Sequence, residues 1–287
     1  MFLFVLIILF ILFILFLYYL EYTDMFRYFQ ILDRQDINFY DNKYINLPKF
    51  GKRVVISLTT IPSRIDKIKP TLISILDQTM KVDQIYINIP YFSLKGEEYI
   101  IPEWLIKLHN IKINRVEKDY GPSTKLLPIL KKEKNLIIVV DDDVIYGSRM
   151  VENYMKNFKG EAMTIFGADI ENGKLKDEWP TYLRFRSGKY VDVLMGHNSF
   201  LVTADMFLDS VFDYSNAPKE CMYVDDIWFS FHLKTKIYSL GFQYKNIPIT
   251  SMNDSGISLC STVNKDNQNN EISIRYFHEL EKLQSFD

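Results

Sequence analysis

Cysteine is nearly absent. Cys221 and Cys260 are the only two in 287 residues, which excludes a disulfide framework and leaves either one bridge or two free thiols. A basic surplus is missing as well. Lysine and arginine number 34 against 36 aspartates and glutamates, a formal net charge of -2, and the basic residues are scattered rather than gathered in a stripe. Binding to a phosphate backbone leaves a basic excess, so nucleic acid is excluded as the main partner. No internal repeat is present, and the first twenty residues contain no charge, glycine or proline. What remains is a globular composition, 48% hydrophobic and 24% charged. The length suffices for one sizeable core and is short for two ordinary domains. Aromatic residues make up 15%, which suits a dense core.

Residues 1–20 read MFLFVLIILFILFILFLYYL. At about 1.5 Å per residue, ~20 apolar residues span a hydrocarbon core of ~30 Å. Tyr18 and Tyr19 fall where an interfacial aromatic belt would lie. A cleaved signal peptide would show a basic start, a shorter apolar run and a small-residue cleavage site, and none is visible. The expectation is a single-pass membrane protein, with residues 1–20 as a retained anchor and 21–52 as a polar, aromatic stem. Residues 53–287 form the globular domain, on the lumenal or otherwise far side of the membrane. Asn253-Asp254-Ser255 fits a glycosylation acceptor.

From Arg53 the pattern changes. Val54-Val55-Ile56-Ser57-Leu58 predicts a buried strand. Thr59-Thr60-Ile61-Pro62-Ser63 reads as a loop, and Ile65, Ile68, Leu72, Ile75 and Leu76 recur at helical spacing. Further strands are expected at 84–89, 111–113 and 136–140, with a helix at 124–131. Alternating strands and helices imply an α/β fold, a mostly parallel open sheet with helices on both faces. Ligands bind outside the carboxyl ends of such strands, so loops at Thr59, Asp119 and Asp141 should converge. After residue 145 the elements shorten, with strands expected near 164–168, 190–193, 199–202 and 242–244. Helices are expected at 225–233 and 271–283, and residues 264–270 read as a loop. The alternating part, 53–145, reads as a nucleotide-binding half, and the more variable half, 146–287, is left to take the second substrate.

The strongest chemical signal is Asp141-Asp142-Asp143 after Leu136-Ile137-Ile138-Val139-Val140. Mg²⁺ and Mn²⁺ take oxygen ligands, commonly one or two carboxylates plus substrate phosphates. Adjacent carboxylates repel one another unless a cation or backbone amides offset them. Asp141 and Asp143, two apart on an extended chain, would share a side. Asp119-Tyr120-Gly121-Pro122-Ser123-Thr124-Lys125 reads either as an ordinary capped loop or as a pyrophosphate cradle, with Lys125 projecting from a helix start. Asp225-Asp226 opens an apolar helix and is either a cap or a general base near the metal. Gly196-His197-Asn198-Ser199 is either an acceptor lining or a polar turn. His278, on the closing helix, is a third metal ligand or a surface histidine.

In this order the segments Thr59 to Arg64, Asp119 to Lys125, Asp141-Asp142-Asp143 and Asp225-Asp226 resemble the GT-A glycosyltransferases, near the family-2-like group. The resemblance implies a nucleoside diphosphate sugar as donor, a UDP-sugar favoured, and a glycan, protein or lipid acceptor. It implies Mn²⁺ or Mg²⁺ on Asp141 and Asp143, with Asp142 beside the donor. It sets Thr59, Pro62 and Arg64 against the nucleotide, with Asp119 and Lys125 serving the same ligand. Asp226 matches the base of inverting members, although the Asp225-Asp226 pair lacks their usual surrounding residues. A nucleotidyltransferase would show a Gly-rich signature near its first strand, which residues 59–64 lack. An inactive, membrane-tethered carbohydrate-binding protein would have no need for these carboxylates, and a glycoside hydrolase would need no metal–diphosphate site.

Overall fold

The computed structural model describes residues 2–22, 25–34, 36–176, 188–196, 199–241, 247–249 and 267–284. Cys260, the Asn253-Asp254-Ser255 triplet, His197, Asn198 and the strand expected at 242–244 lie outside the described residues. The chain opens with α1 (Phe2–Tyr22), α2 (Met25–Arg34) and α3 (Ile37–Tyr44). An alternating series follows: β1 (Val54–Thr59), α4 (Lys69–Leu76), β2 (Gln84–Pro90), α5 (Glu103–Ile106), β3 (Ile111–Val116), α6 (Leu127–Leu130) and β4 (Leu136–Val139). Then come β5 (Val144–Ile145), α7 (Met150–Asn157), β6 (Ala162–Thr164), β7 (Gly167–Glu171), β8 (Lys174–Lys176), β9 (Lys189–Val191), β10 (Val193–Leu194) and β11 (Phe200–Val202). The series closes with α8 (Asp225–Phe231), β12 (Ile237–Ser239), β13 (Ile247–Pro248) and α9 (Gln268–Gln284).

The main sheet runs β3-β2-β1-β4-β11-β6-β12-β9. Its first four strands are parallel. Beyond β4 the sheet is mixed, because β11 runs antiparallel to both β4 and β6. The expected α/β arrangement is therefore found in its parallel half, and the second half shares the same sheet through β11. Strand alternation distributes the core. Val54, Ile56 and Leu58 of β1 face one apolar cluster with α2, α3, α4 and α7. Val55 faces the other, with α6, α8 and α9, as the period of two requires.

The order fixes where a ligand belongs. The chain moves outward from β1 to β2 to β3 and then returns to the other side of β1 as β4. The crevice at the carboxyl ends of β1 and β4 is the switch point, where open α/β sheets bind ligands. Two helices differ from the reading above. The first after β1 begins at Lys69, not at Ile65 where the helical spacing starts, with Pro70 in its opening turn, where a missing N–H costs nothing. Gly121–Lys125 is a 3₁₀ helix followed by the short α6, not one helix over 124–131.

The segment expected as a stem is packed onto the domain. Tyr28 and Ile31 of α2, and Ile37, Tyr40 and Tyr44 of α3, are buried in the first apolar cluster. Arg27 donates from Nε to Asp77 Oδ2 at 2.9 Å and from Nη1 to the Tyr146 carbonyl at 2.7 Å. Asp41 accepts the backbone N–H groups of His109 and Asn110. α1 is 21 residues long. Its side chains are described at 5–17, and every one of these is at least 37% exposed. Counted over the described residues, no helix is long and apolar enough to cross a membrane.

Candidate active site

The carboxyl end of β4 delivers Asp141, Asp142 and Asp143 into the switch-point crevice. Asp142 is buried and held from below: Thr60 Oγ donates to its Oδ2 at 2.6 Å, and Thr71 Oγ donates to its carbonyl at 2.8 Å. Arg64, from the loop after β1, places Nη1 3.1 Å from Asp142 Oδ1 and 3.3 Å from Asp143 Oδ2. Its Nε is buried and has no hydrogen-bond partner among the described residues. Tyr146 OH accepts the Asp141 N–H at 2.7 Å, pinning the turn.

On the other side stands Lys125, whose Nζ lies 2.8 Å from Asp141 Oδ1 and 2.8 Å from Asp225 Oδ2. Burial by itself would depress this amine, but Asp141, Asp225 and Asp226 outweigh it and hold the group well above its ordinary value. Lys125 is therefore a firmly charged clamp between β4 and α8, not a side chain projecting from a helix start. Its backbone is held by a polar ladder inside the sheet. Ser57 Oγ donates to the Lys125 carbonyl at 2.5 Å, Asn88 Nδ2 donates to Ser57 Oγ, and Asn114 Nδ2 donates to Asn88 Oδ1.

Asp226 is adjacent. Its Oδ1 is buried with no hydrogen-bond partner among the described residues. A Cβ on Gly196 would fall 2.5 Å from that oxygen and 2.8 Å from Lys125 Nζ, so only glycine permits this approach. Burial first, then Asp225, push the Asp226 carboxyl up to about 8, with Lys125 pulling the other way. Burial, then Asp142 and Asp141, push Asp143 up to about 7.

The other expected residues are placed as follows. Thr59 Oγ donates to the Asn88 carbonyl at 2.7 Å. Pro62 opens the turn that carries Arg64, whose N–H donates to the Ile61 carbonyl. Asp119 accepts from the N–H groups of Leu94 and Gly121 and from Thr124 Oγ. Three of about four acceptor positions on the carboxylate are thus used, two in holding its own loop and one in tying it to the segment after β2. Asp225 is not the cap of α8, a position that Val224 takes; as the helix's first residue it is ion-paired to Lys125. His278 is not brought to Asp141 and Asp143. It sits on α9, edge-on to Phe231, and lines a separate cavity of about 350 Å³ with Asn172, Asp192 and Ser230. Among the described residues no three His, Cys, Asp or Glu side chains group to hold a metal.

Five carboxylates (Asp141, Asp142, Asp143, Asp225 and Asp226) thus meet two cations, Lys125 and Arg64. That excess would repel a diphosphate, and a divalent cation would offset it. Asp141 and Asp143 are partly exposed, and two carboxylates with substrate phosphates make a sufficient ligand set for Mg²⁺ or Mn²⁺. The residues present fit such an ion.

Sequence reading missed Thr71, Tyr146, Ser57 and Asn88. The last two carried a signal, being polar residues inside otherwise apolar strand runs.

No family model matches the chain, and no curated protein matches it in sequence. Solved structures resemble it at low identity. S. aureus TarS 1-349 is 12% identical over 66% of this chain with a TM-score of 0.41, and this chain spans 58% of its length. TarS was also solved with UDP-GlcNAc. The mannosyltransferase PcManGT from Pyrobaculum calidifontis, in complex with GDP-Man and Mn²⁺, is 10% identical over 63% of this chain and 55% of its own, with a TM-score of 0.35. A Bacillus anthracis protein named as a glucose-1-phosphate thymidylyltransferase is 13% identical over 76% of this chain and 98% of its own, with a TM-score of 0.38. At these TM-scores, function has to be read from the chain's own residues.

Proposed function

We propose that the chain is a glycosyltransferase that moves a sugar, with inversion, from a nucleoside diphosphate sugar to an acceptor hydroxyl. The observation that carries this reading is the meeting of Asp141, Asp143, Arg64, Lys125 and Asp226 in the crevice between β1 and β4. Asp141 and Asp143 would hold the divalent cation, which supplies Lewis-acid neutralisation of the leaving diphosphate. Arg64 adds a positive charge beside the same group. Asp226 takes the acceptor proton as the hydroxyl attacks the anomeric carbon. A carboxyl pushed up to about 8 is close to the working pH, which is where a general base is most effective. Lys125 keeps Asp226 in place by holding β4 against α8. In this reading the uncharged residues 1–20 serve as a membrane anchor, on the strength of their sequence; the side chains at 5–17 are exposed.

The test is a panel of nucleotide sugars offered to the full chain in detergent with Mn²⁺. One donor should give metal-dependent release of nucleoside diphosphate, abolished by Asp141→Ala or Asp143→Ala with the melting temperature retained. Full activity in EDTA would remove the metal. Release of pyrophosphate from a nucleoside triphosphate and a sugar phosphate would make the chain a nucleotidyltransferase instead.

A further inference from the structure

Arg64 holds a position that the proposed cation site also needs. Its Nη1 is shared between Asp142 Oδ1 at 3.1 Å and Asp143 Oδ2 at 3.3 Å, and the side chain is only 12% exposed. The same guanidinium leaves Nε buried and unpartnered among the described residues. An arginine with five fixed N–H donors rarely leaves one buried and unused unless a ligand completes it. The loop that carries it turns through Pro62 and is held by backbone bonds from Arg64 and Ile65 to Ile61 and from Lys67 to Arg64; the guanidinium ends a long side chain that changes rotamer without moving that backbone or α4.

We propose that Arg64 is a resident counter-ion that withholds Asp143 from a divalent cation until a diphosphate arrives to take the guanidinium. The inference rests on the donor-binding reading of this crevice. Without nucleotide, a divalent ion on Asp141 and Asp143 would face the Arg64 charge across a shared carboxylate oxygen. Once a diphosphate enters, Nε and Nη1 have anionic oxygens to donate to, as guanidinium–phosphate geometry favours. Asp143 is then released. Metal and nucleotide consequently bind in a linked manner, each tightening the other by the same factor. The consequence is protective: a metal-loaded site without donor is disfavoured, so the buried acids do not trap free cation.

The experiment is a titration of the full chain in detergent with Mn²⁺, following the electron paramagnetic resonance signal of the free ion. It is run with and without UDP, and the ion held by UDP alone is subtracted. Wild type should bind Mn²⁺ weakly alone and at least about tenfold more tightly with UDP, within the usual range of coupling between sites. Arg64→Gln, which removes the charge, should bind Mn²⁺ about tenfold more tightly than wild type without nucleotide and gain less from UDP. Arg64→Lys keeps the charge and should bind Mn²⁺ as weakly as wild type in the absence of UDP. No gain in Arg64→Gln, or wild-type binding that ignores UDP, overturns the proposal, as does a chain that retains no Mn²⁺ in any state. If Arg64→Gln fails to fold, as judged by melting, the wild-type and Arg64→Lys titrations decide. Donor turnover on the same samples separates the two readings. Turnover with no metal linkage removes the Arg64 proposal alone, and metal linkage with no turnover of any donor removes the glycosyltransferase alone.

Discussion

At the residue scale, the site is governed by a charge imbalance confined in a buried space. Lys125 is the side chain that makes it tolerable, since it faces Asp141 and Asp225 at 2.8 Å each and is itself 5% exposed. Removing one partner of a buried ion pair leaves an uncompensated charge and costs about 3–5 kcal/mol. Lys125→Met should therefore lower the melting temperature strongly, while Asp226→Asn should leave it nearly unchanged. Asp226→Asn should instead cut turnover by ~10²–10⁴-fold, the usual contribution of a positioned base, with donor affinity preserved. Near-normal turnover in Asp226→Asn would move the base elsewhere. Asp225 was open to reading as a simple helix cap; its pairing with Lys125 makes it part of the clamp instead. This pairing was invisible in the sequence, because residues 125, 141 and 225 are brought together only by the order of strands and by α8.

At the scale of elements, β1 to β4 were legible and α2 and α3 were not. Runs such as Leu136-Ile137-Ile138-Val139 announce a buried strand whatever surrounds them. The helices of the supposed stem are 10 and 8 residues long, too short to be stable alone in water, and Phe26, Phe29 and Phe39 face outward. They exist because Tyr28, Ile31, Tyr40 and Tyr44 find a core to enter. Ile31, 1% exposed, is the sharpest probe. Ile31→Ala should cost about 2–5 kcal/mol, read by denaturant unfolding of the full chain. A residue in a free tether would show no change. A shortened chain beginning near Tyr40 would cut into α3 and lose Ile31, so the structure favours Met25 as the first residue to keep.

At the scale of the whole molecule, the question is how the packed body relates to α1. Only Thr23 and Asp24 separate α1 from α2, and α2 is fixed through Arg27 to Asp77 and Tyr146, the residues that follow α4 and β5. An anchor in α1 would thus hold the body close to the bilayer rather than on a long tether. The full chain should resist carbonate extraction from membranes, and a chain beginning at Met25 should be released. A mature N-terminus found beyond residue 20 would show a cleaved signal instead.

The sequence by itself determined the parallel β1-to-β4 half, the apolar first segment and the acidic triplet at a strand end. Each is a local pattern whose meaning does not depend on distant residues. Tertiary structure alone decided the rest: the mixed second half, the burial of Lys125 among three carboxylates and the reach of Arg64 to two of them. It likewise set Asp119 to joining its own loop to the segment after β2 and kept His278 away from the acids. The physical reason is that charge and burial are properties of assembled neighbours. The same lysine or histidine at the same sequence position is a surface group, a clamp or a ligand according to which elements the sheet order brings beside it.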